Sequence, residues 1–70
     1  MLVRSLSVID KALIITIMTQ RHSTTSREMQ IASQIDRHLC SDYLDELRAK
    51  EILRVARIDA DGSTRYQINN

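Results

Sequence analysis

The chain has 70 residues, of which 43% are hydrophobic and 27% charged, with one Gly, no Pro and two aromatic residues. A chain this short supports one hydrophobic core, and this balance is that of a folded domain, not of a disordered segment. Ten Lys and Arg against nine Asp and Glu leave a net charge of +1, so composition alone does not indicate a nucleic-acid-binding protein. We expect a single domain over residues 1–70.

Two features of the sequence bear on its location. Cys40 is the only cysteine, which excludes an internal disulfide and a cysteine-based zinc site and fits a reducing compartment. The longest apolar run, residues 12–18, is far shorter than the roughly 20 residues that cross a bilayer. No cleavage site typical of a signal peptide follows that run. We expect a cytoplasmic protein without a membrane partner.

The first predicted element is a helix over about residues 7–20. Ser7 and Asp10 have the spacing of a capping box, in which each side chain accepts a hydrogen bond from the other's backbone N–H. Residues 13–17 are rich in β-branched side chains, which leaves a strand as the alternative; the cap and the length of the segment favour the helix.

Apolar residues cover most of the circumference of this predicted helix between Val8 and Met18. Such a helix should bury more than one side, against the rest of the chain or against a second subunit. Its surplus apolar surface is therefore a candidate homodimer surface, together with Leu2, Val3 and Leu6.

Two more helices are predicted after a polar connector at residues 20–24. Thr25 and Glu28 form a second capping-box pattern that opens a helix over about 26–34. Asp36 can cap a third helix over about 37–50. Apolar residues recur along the third helix at i, i+3, i+4 and i+7, as one core-facing stripe: Cys40, Tyr43, Leu44 and Leu47. We expect Cys40 to be a small core hydrophobe and not a reactive thiol.

Residues 52–68 predict a β-hairpin. The first strand alternates, with Leu53, Val55 and Arg57 on one side, and residues 64–68 alternate polar with apolar as a returning strand should. Between the strands, Asp61-Gly62 carries the only glycine of the chain, at a place where a turn needs positive φ.

This order of elements resembles the winged helix-turn-helix of small bacterial and phage transcription regulators. The resemblance is carried by residues 25–29 with Ala32, by Cys40 and Leu44-x-x-Leu47, by residues 48–53 and by the turn at Asp61-Gly62. It implies a mainly α fold of three helices with a two-stranded C-terminal wing. It also implies a third helix in the major groove and a wing that contacts the DNA backbone or the minor groove. Glu51 departs from the pattern, because the family usually has Gly there for a left-handed cap.

The resemblance implies duplex DNA as the partner. The candidate DNA contacts are basic or hydrogen-bonding residues on the second helix, the third helix and the hairpin: Arg27, Arg37, His38, Ser41, Arg54, Arg57 and Arg65. Arg27 would hold a phosphate where the N–H groups and the positive dipole end of a helix favour one. The alternative is that these arginines are surface charges that pair with Asp59, Asp61 and Glu51.

The outward face of the third helix is acidic at its centre. With the core-facing stripe inward, Asp42 and Asp45 point outward beside His38 and Ser41, and carboxylates repel the phosphates of DNA. A helix that carries Asp42, Asp45 and Glu46 suits a basic protein partner. The alternative function is therefore a winged-helix protein-interaction module, such as an antirepressor, an inhibitor or an assembly factor.

Nothing in the sequence predicts an enzyme, a cofactor or a metal site. His22 and His38 have no carboxylate or cysteine at ligand spacing. No nucleophile stands in a strand-turn-helix or glycine-rich context. Binding is therefore the function class that the sequence favours.

Overall fold

Over residues 5–69, the part of the chain that the computed structural model describes, the protein forms three helices and a three-stranded antiparallel sheet. The helices are α1 (Val8–Arg21), α2 (Ser26–Ser33) and α3 (Arg37–Ala49), and the strands are β1 (Ser23–Thr25), β2 (Leu53–Ile58) and β3 (Thr64–Ile68). The strand order is β1-β3-β2. The sheet therefore has one strand more than the predicted two-stranded wing. None of the helices in this range is long and apolar enough to span a bilayer.

α1 begins at the capping box predicted for Ser7 and Asp10. The Asp10 N–H donates to Ser7 Oγ at 3.0 Å, and the Ser7 N–H donates to the Asp10 carboxylate at 3.3 Å. The segment 13–17 is helical, so the strand alternative is wrong. The helix buries Ile14, Ile17 and Met18, which lie on one side, and leaves the opposite side exposed.

β1 corrects the prediction of a polar connector at residues 20–24, because α1 extends to Arg21 and a strand begins at Ser23. It pairs with β3, with Thr24 opposite Tyr66. Thr24 is fully buried, and its hydroxyl donates to the Thr25 carbonyl at 3.0 Å, so this polar side chain is satisfied inside the core. Thr25 then caps α2 by accepting the Glu28 N–H at 3.1 Å.

The core lies where α1, α2 and α3 meet the sheet. The stripe predicted on α3 is confirmed, because all four of its residues are buried. They pack with residues of α1, α2, the α2–α3 connection and the sheet: Ile14, Ile17, Met18, Met29, Ile35, Leu53 and Tyr66. Cys40 is fully buried and burial raises the pKa of its thiol, as expected of a structural cysteine. Leu6 also packs partly against this core, while Leu2 and Val3 lie outside the described residues.

An irregularity in β2 changes which side its residues face. Val55 pairs with Tyr66, whereas Arg57 pairs with Arg65, so Ala56 is the extra residue of a β-bulge. The prediction that Val55 and Arg57 share one side of the strand is wrong. The bulge places Arg57 on the same side as Arg65.

Two left-handed residues close the connections around β2. Gly62, between β2 and β3, has φ 88°, as the turn prediction requires, and Glu51, after α3, has φ 63°. The Glu51 N–H bonds the Arg48 carbonyl at 2.9 Å and the Ile52 N–H bonds the Leu47 carbonyl at 3.0 Å, which is a Schellman motif. The end of α3 therefore has the geometry that favours glycine, although Glu51 carries a Cβ.

Candidate nucleic-acid interface

Arg65, one of the predicted DNA contacts, lies in an ion-pair cluster that joins β3, α2 and the β2–β3 turn. Its Nη2 donates to Glu28 Oε2 at 2.7 Å and to Asp59 Oδ2 at 2.9 Å. Its Nη1 donates to Ser23 Oγ at 3.4 Å, and its Nε donates to Asp59 at 3.1 Å. The side chain is only 16% exposed. All three guanidinium nitrogens are thus bonded within the chain, and Arg65 fastens the β2–β3 pair to α2.

The Arg65 cluster also explains why only half of the second capping box forms. Thr25 accepts from the Glu28 N–H, but the Glu28 carboxylate bonds Arg65 and does not reach back to the Thr25 N–H. The hydrogen bond from Arg65 is the main cause that lowers the pKa of Glu28, and it is also the main cause for Asp59, where Arg57 adds to it. Both carboxylates therefore stay ionised at neutral pH.

Arg57 is paired with a carboxylate, as Arg65 is, but its side chain is largely exposed. Its Nε donates to Asp59 Oδ1 at 3.0 Å, yet its side chain is 69% exposed. The expected pairing of arginines with neighbouring carboxylates is therefore found at Asp59. Asp61 instead accepts the Ser63 N–H at 2.9 Å and shapes the turn.

Arg27 and Arg37 flank the connection between α2 and α3. Arg27 is the second residue of α2, and both side chains are exposed. Arg27 lines an open groove that also touches Ile31 and Asp36, the residue before Arg37. Neither arginine forms an ion pair with another described residue.

The exposed surface of α3 has a basic side. At 100° per residue, Arg37, Ser41 and Arg48 fall on one side of the helix, over roughly three turns. Arg48 is exposed on this side, in the last turn of the helix. Arg48 is the residue that the sequence analysis missed, although its spacing from Arg37 was readable. His38 is exposed beside this row, in the first turn of the helix.

The opposite side of α3 is acidic. Asp42 and Glu46 line an open groove of about 240 Å³ together with Lys11 of α1 and Tyr43. The Lys11 ammonium lies 5.6 Å from the centre of the Tyr43 ring, and Glu46 pairs with Lys50 at 3.7 Å. These two carboxylates therefore face α1 and not the sheet.

Asp45 lies between the two sides and is bonded to the sheet. The buried Tyr66 donates its hydroxyl to Asp45 Oδ1. Burial, reinforced by this bond, raises the pKa of Tyr66 to about 12, so the hydroxyl remains a donor at neutral pH. Asp45 thus has a structural role in joining α3 to β3, which the sequence analysis did not foresee.

The structure therefore separates the seven predicted contacts. Arg65 is largely buried and bonded to Glu28 and Asp59, and Arg57 is paired but exposed. Arg54 is exposed on β2, with its Nη2 3.5 Å from Gln67 Oε1. The others lie on or beside the α2–α3 surface: Arg27, Arg37, His38 and Ser41. Comparison of the chain with family models, with curated proteins and with solved structures found no match.

Proposed function

We propose that the protein is a small winged helix-turn-helix regulator that binds duplex DNA. One observation carries the proposal: exposed arginines on α2, α3 and β2 form no ion pair with a described residue. These arginines are Arg27, Arg37, Arg48 and Arg54. Of the carboxylates on and before α3, Asp36 and Asp45 accept hydrogen bonds, and Asp42 and Glu46 line the groove beside α1. Guanidinium groups without an ion-pair partner are suited to phosphates and to the acceptor edges of guanine.

The order of elements supports this proposal. Three helices followed by a pair of strands is the order that the winged-helix resemblance implies, and β1 adds a third strand beside β3. Residues 34–36 alone join α2 to α3, and Gln34 makes the turn with φ 60°. α2 and α3 would form the helix-turn-helix, with α3 as the recognition helix and β2–β3 as the wing.

In this arrangement each candidate contact has a separate role. Arg37, Ser41 and Arg48 face the major groove, with His38 at the end of the helix that enters it. Arg27 meets a phosphate in the first turn of α2. Arg54 and the exposed Arg57 approach the backbone from the wing, and Arg65 holds the wing in place for them.

The test is fluorescence anisotropy with a labelled duplex of random sequence. Each phosphate contact contributes about −0.9 to the slope of log K against log[salt]. In a non-specific complex guanidinium groups bind phosphates and not base edges, so the four arginines without ion pairs predict a slope of about −3.6 for the wild type. The variant Arg37→Gln with Arg48→Gln should lose at least about tenfold in affinity and about 2 units of slope.

The matched control removes two positive charges that lie near the acidic side of α3, as Lys11→Gln with Lys50→Gln. It should bind almost as the wild type does, because both lysines already interact with residues of α3. Absence of binding at about 100 μM protein in low salt would contradict the proposal. Equal losses in the two double variants would show that only net charge matters.

A second candidate function is the docking of a basic protein segment on the acidic side of α3. The groove lined by Asp42 and Glu46 favours it, since its carboxylates lie beside apolar wall residues such as Leu6 and Leu39. The variant Asp42→Lys with Glu46→Lys separates the two functions. Loss of a partner in pull-down, with the fold intact by circular dichroism, supports docking; stronger duplex binding with no lost partner supports DNA.

A further inference from the structure

The side of α1 that faces away from the core is unusually apolar. Val8 is 84% exposed, Ile9 81%, Ile15 45% and Leu13 41%. At 100° per residue these four side chains fall within one sector of the helix, opposite the buried Ile14, Ile17 and Met18. We call this sector, together with Ala12, Thr16 and Thr19 along its middle, the outer face of α1.

Both threonine hydroxyls on the outer face already have partners, and Gln20, at its C-terminal end, is the remaining polar side chain of α1 in the sector. The Thr16 hydroxyl donates to the Ala12 carbonyl at 2.8 Å, and the Thr19 hydroxyl donates to the Ile15 carbonyl at 2.8 Å. Both threonines can therefore turn methyl groups outward. The charged residues of α1, Asp10, Lys11 and Arg21, fall outside the sector. Covering the outer face would leave no buried charge and no unsatisfied hydroxyl.

We infer that the chain forms a two-fold homodimer in which the outer face of α1 packs against the same face of a second copy. A face that is uncharged and whose threonine hydroxyls are bonded within the helix is complementary to itself, and it offers no counter-charge to a charged partner. A two-fold axis brings the same patch from both copies together, as isologous interfaces require. The small side chains of Ala12 and Thr16 lie near its centre, where the helices approach most closely.

The size of the outer face fits a weak, specific dimer. From the exposed fractions, two copies would remove on the order of 1,000 Å² from water, the lower limit for a specific interface. An antiparallel crossing would also oppose the two helix dipoles. The outer face shares no residue with the proposed DNA contacts. The inference therefore stands whether or not the chain binds DNA.

Sedimentation equilibrium of the full chain, without DNA, tests the inference. Between about 10 μM and 1 mM, the range expected for an interface of this size, the average mass should rise from 8.1 kDa toward twice that value. Ala12→Glu places like charges near the two-fold axis and should raise the dimer Kd at least about tenfold. Ala49→Glu makes the same change at an exposed position of α3 and should leave the dimer Kd unchanged.

A second variant guards against a fold defect. Val8→Gln with Ile9→Gln alters the two most exposed positions, so the monomer should keep its circular dichroism spectrum while the dimer Kd rises at least about threefold. A wild type that stays at 8.1 kDa up to 1 mM would overturn the inference. Unchanged association in folded Ala12→Glu would overturn it too. Duplex anisotropy is read separately, so a monomer that binds DNA rejects the dimer and keeps the proposed function.

Discussion

Arg65 of β3 and the arginines of α3 share a side-chain type but differ in environment. Arg65 is largely buried and bonded to two carboxylates, whereas Arg37 and Arg48 are exposed and form no ion pair with a described residue. The difference shows that a basic residue on a candidate DNA-binding element can form ion pairs within the chain, which leaves its charge unavailable to DNA. Carboxylates within reach decide between the two roles.

The largest expected effect is on stability at Arg65. Arg65→Gln leaves Glu28 without a counter-charge and Asp59 with only the exposed Arg57, so the melting temperature should fall on the order of 5–10 °C. Arg37→Gln serves as the control and should shift it by less than about 2 °C. Thermal melts followed by circular dichroism measure both. Equal shifts would contradict the structural role given to Arg65.

The pH dependence of stability tests the Arg65 ion pairs in a second way. The folded-state pKa values of Glu28 and Asp59 are lowered, chiefly by Arg65. Their contribution is therefore complete above about pH 4–5, where both groups are also ionised in the unfolded chain. It is lost as the pH falls through the lowered folded values. Urea midpoints of wild type and Arg65→Gln should differ at pH 7 and converge toward about pH 2–3. A constant difference at all pH values would count against the ion pairs.

The acidic residues of α3 allow a parallel comparison. Asp45→Asn keeps an oxygen that can accept the Tyr66 hydroxyl but removes a negative charge near the basic side of α3. Duplex binding should tighten about three- to tenfold. Asp42→Asn, on the α1 side, should change it less. Anisotropy titrations measure both. A larger effect at Asp42 would place the DNA on the acidic side of α3, next to α1, and would contradict the proposed interface.

The smallest expected effect comes from the backbone at Glu51. Its φ of 63° strains a residue with a Cβ, so Glu51→Gly should raise the free energy of unfolding by about 0.5–1 kcal/mol. Glu51→Ala keeps the Cβ and should give no gain. If alanine stabilises as much as glycine in urea titrations, the carboxylate and not the φ angle is the source of the strain.

Local patterns in the sequence predicted most of the fold. The capping pair Ser7 and Asp10, the stripe on α3 and the turn glycine Gly62 each depend on neighbours a few residues away. β1 was missed because three residues are too few to show alternation, and its partner strand is at the other end of the chain. The β-bulge at Ala56 was missed because nothing in the local pattern marks the extra residue.

The candidate site was harder to predict, because it depends on which charges meet across the fold. Glu28 looked like a capping residue, and only its distance to Arg65 shows that it fixes the wing. Asp45 looked like a surface carboxylate until Tyr66 was seen to donate to it. Arg48 could have been found from the helical periodicity alone, since it follows Arg37 and Ser41 along one side of α3.

The most direct test of DNA binding through α2 and α3 is to titrate the ¹⁵N-labelled chain with a short duplex of random sequence and follow amide shifts by NMR. If α2 and α3 bind the duplex, the largest shifts should cluster at Arg27, Arg37, Ser41 and Arg48, with little change along the outer face of α1. Shifts confined to Asp42, Glu46 and Lys11, or no shifts at saturating duplex, would contradict binding through α2 and α3.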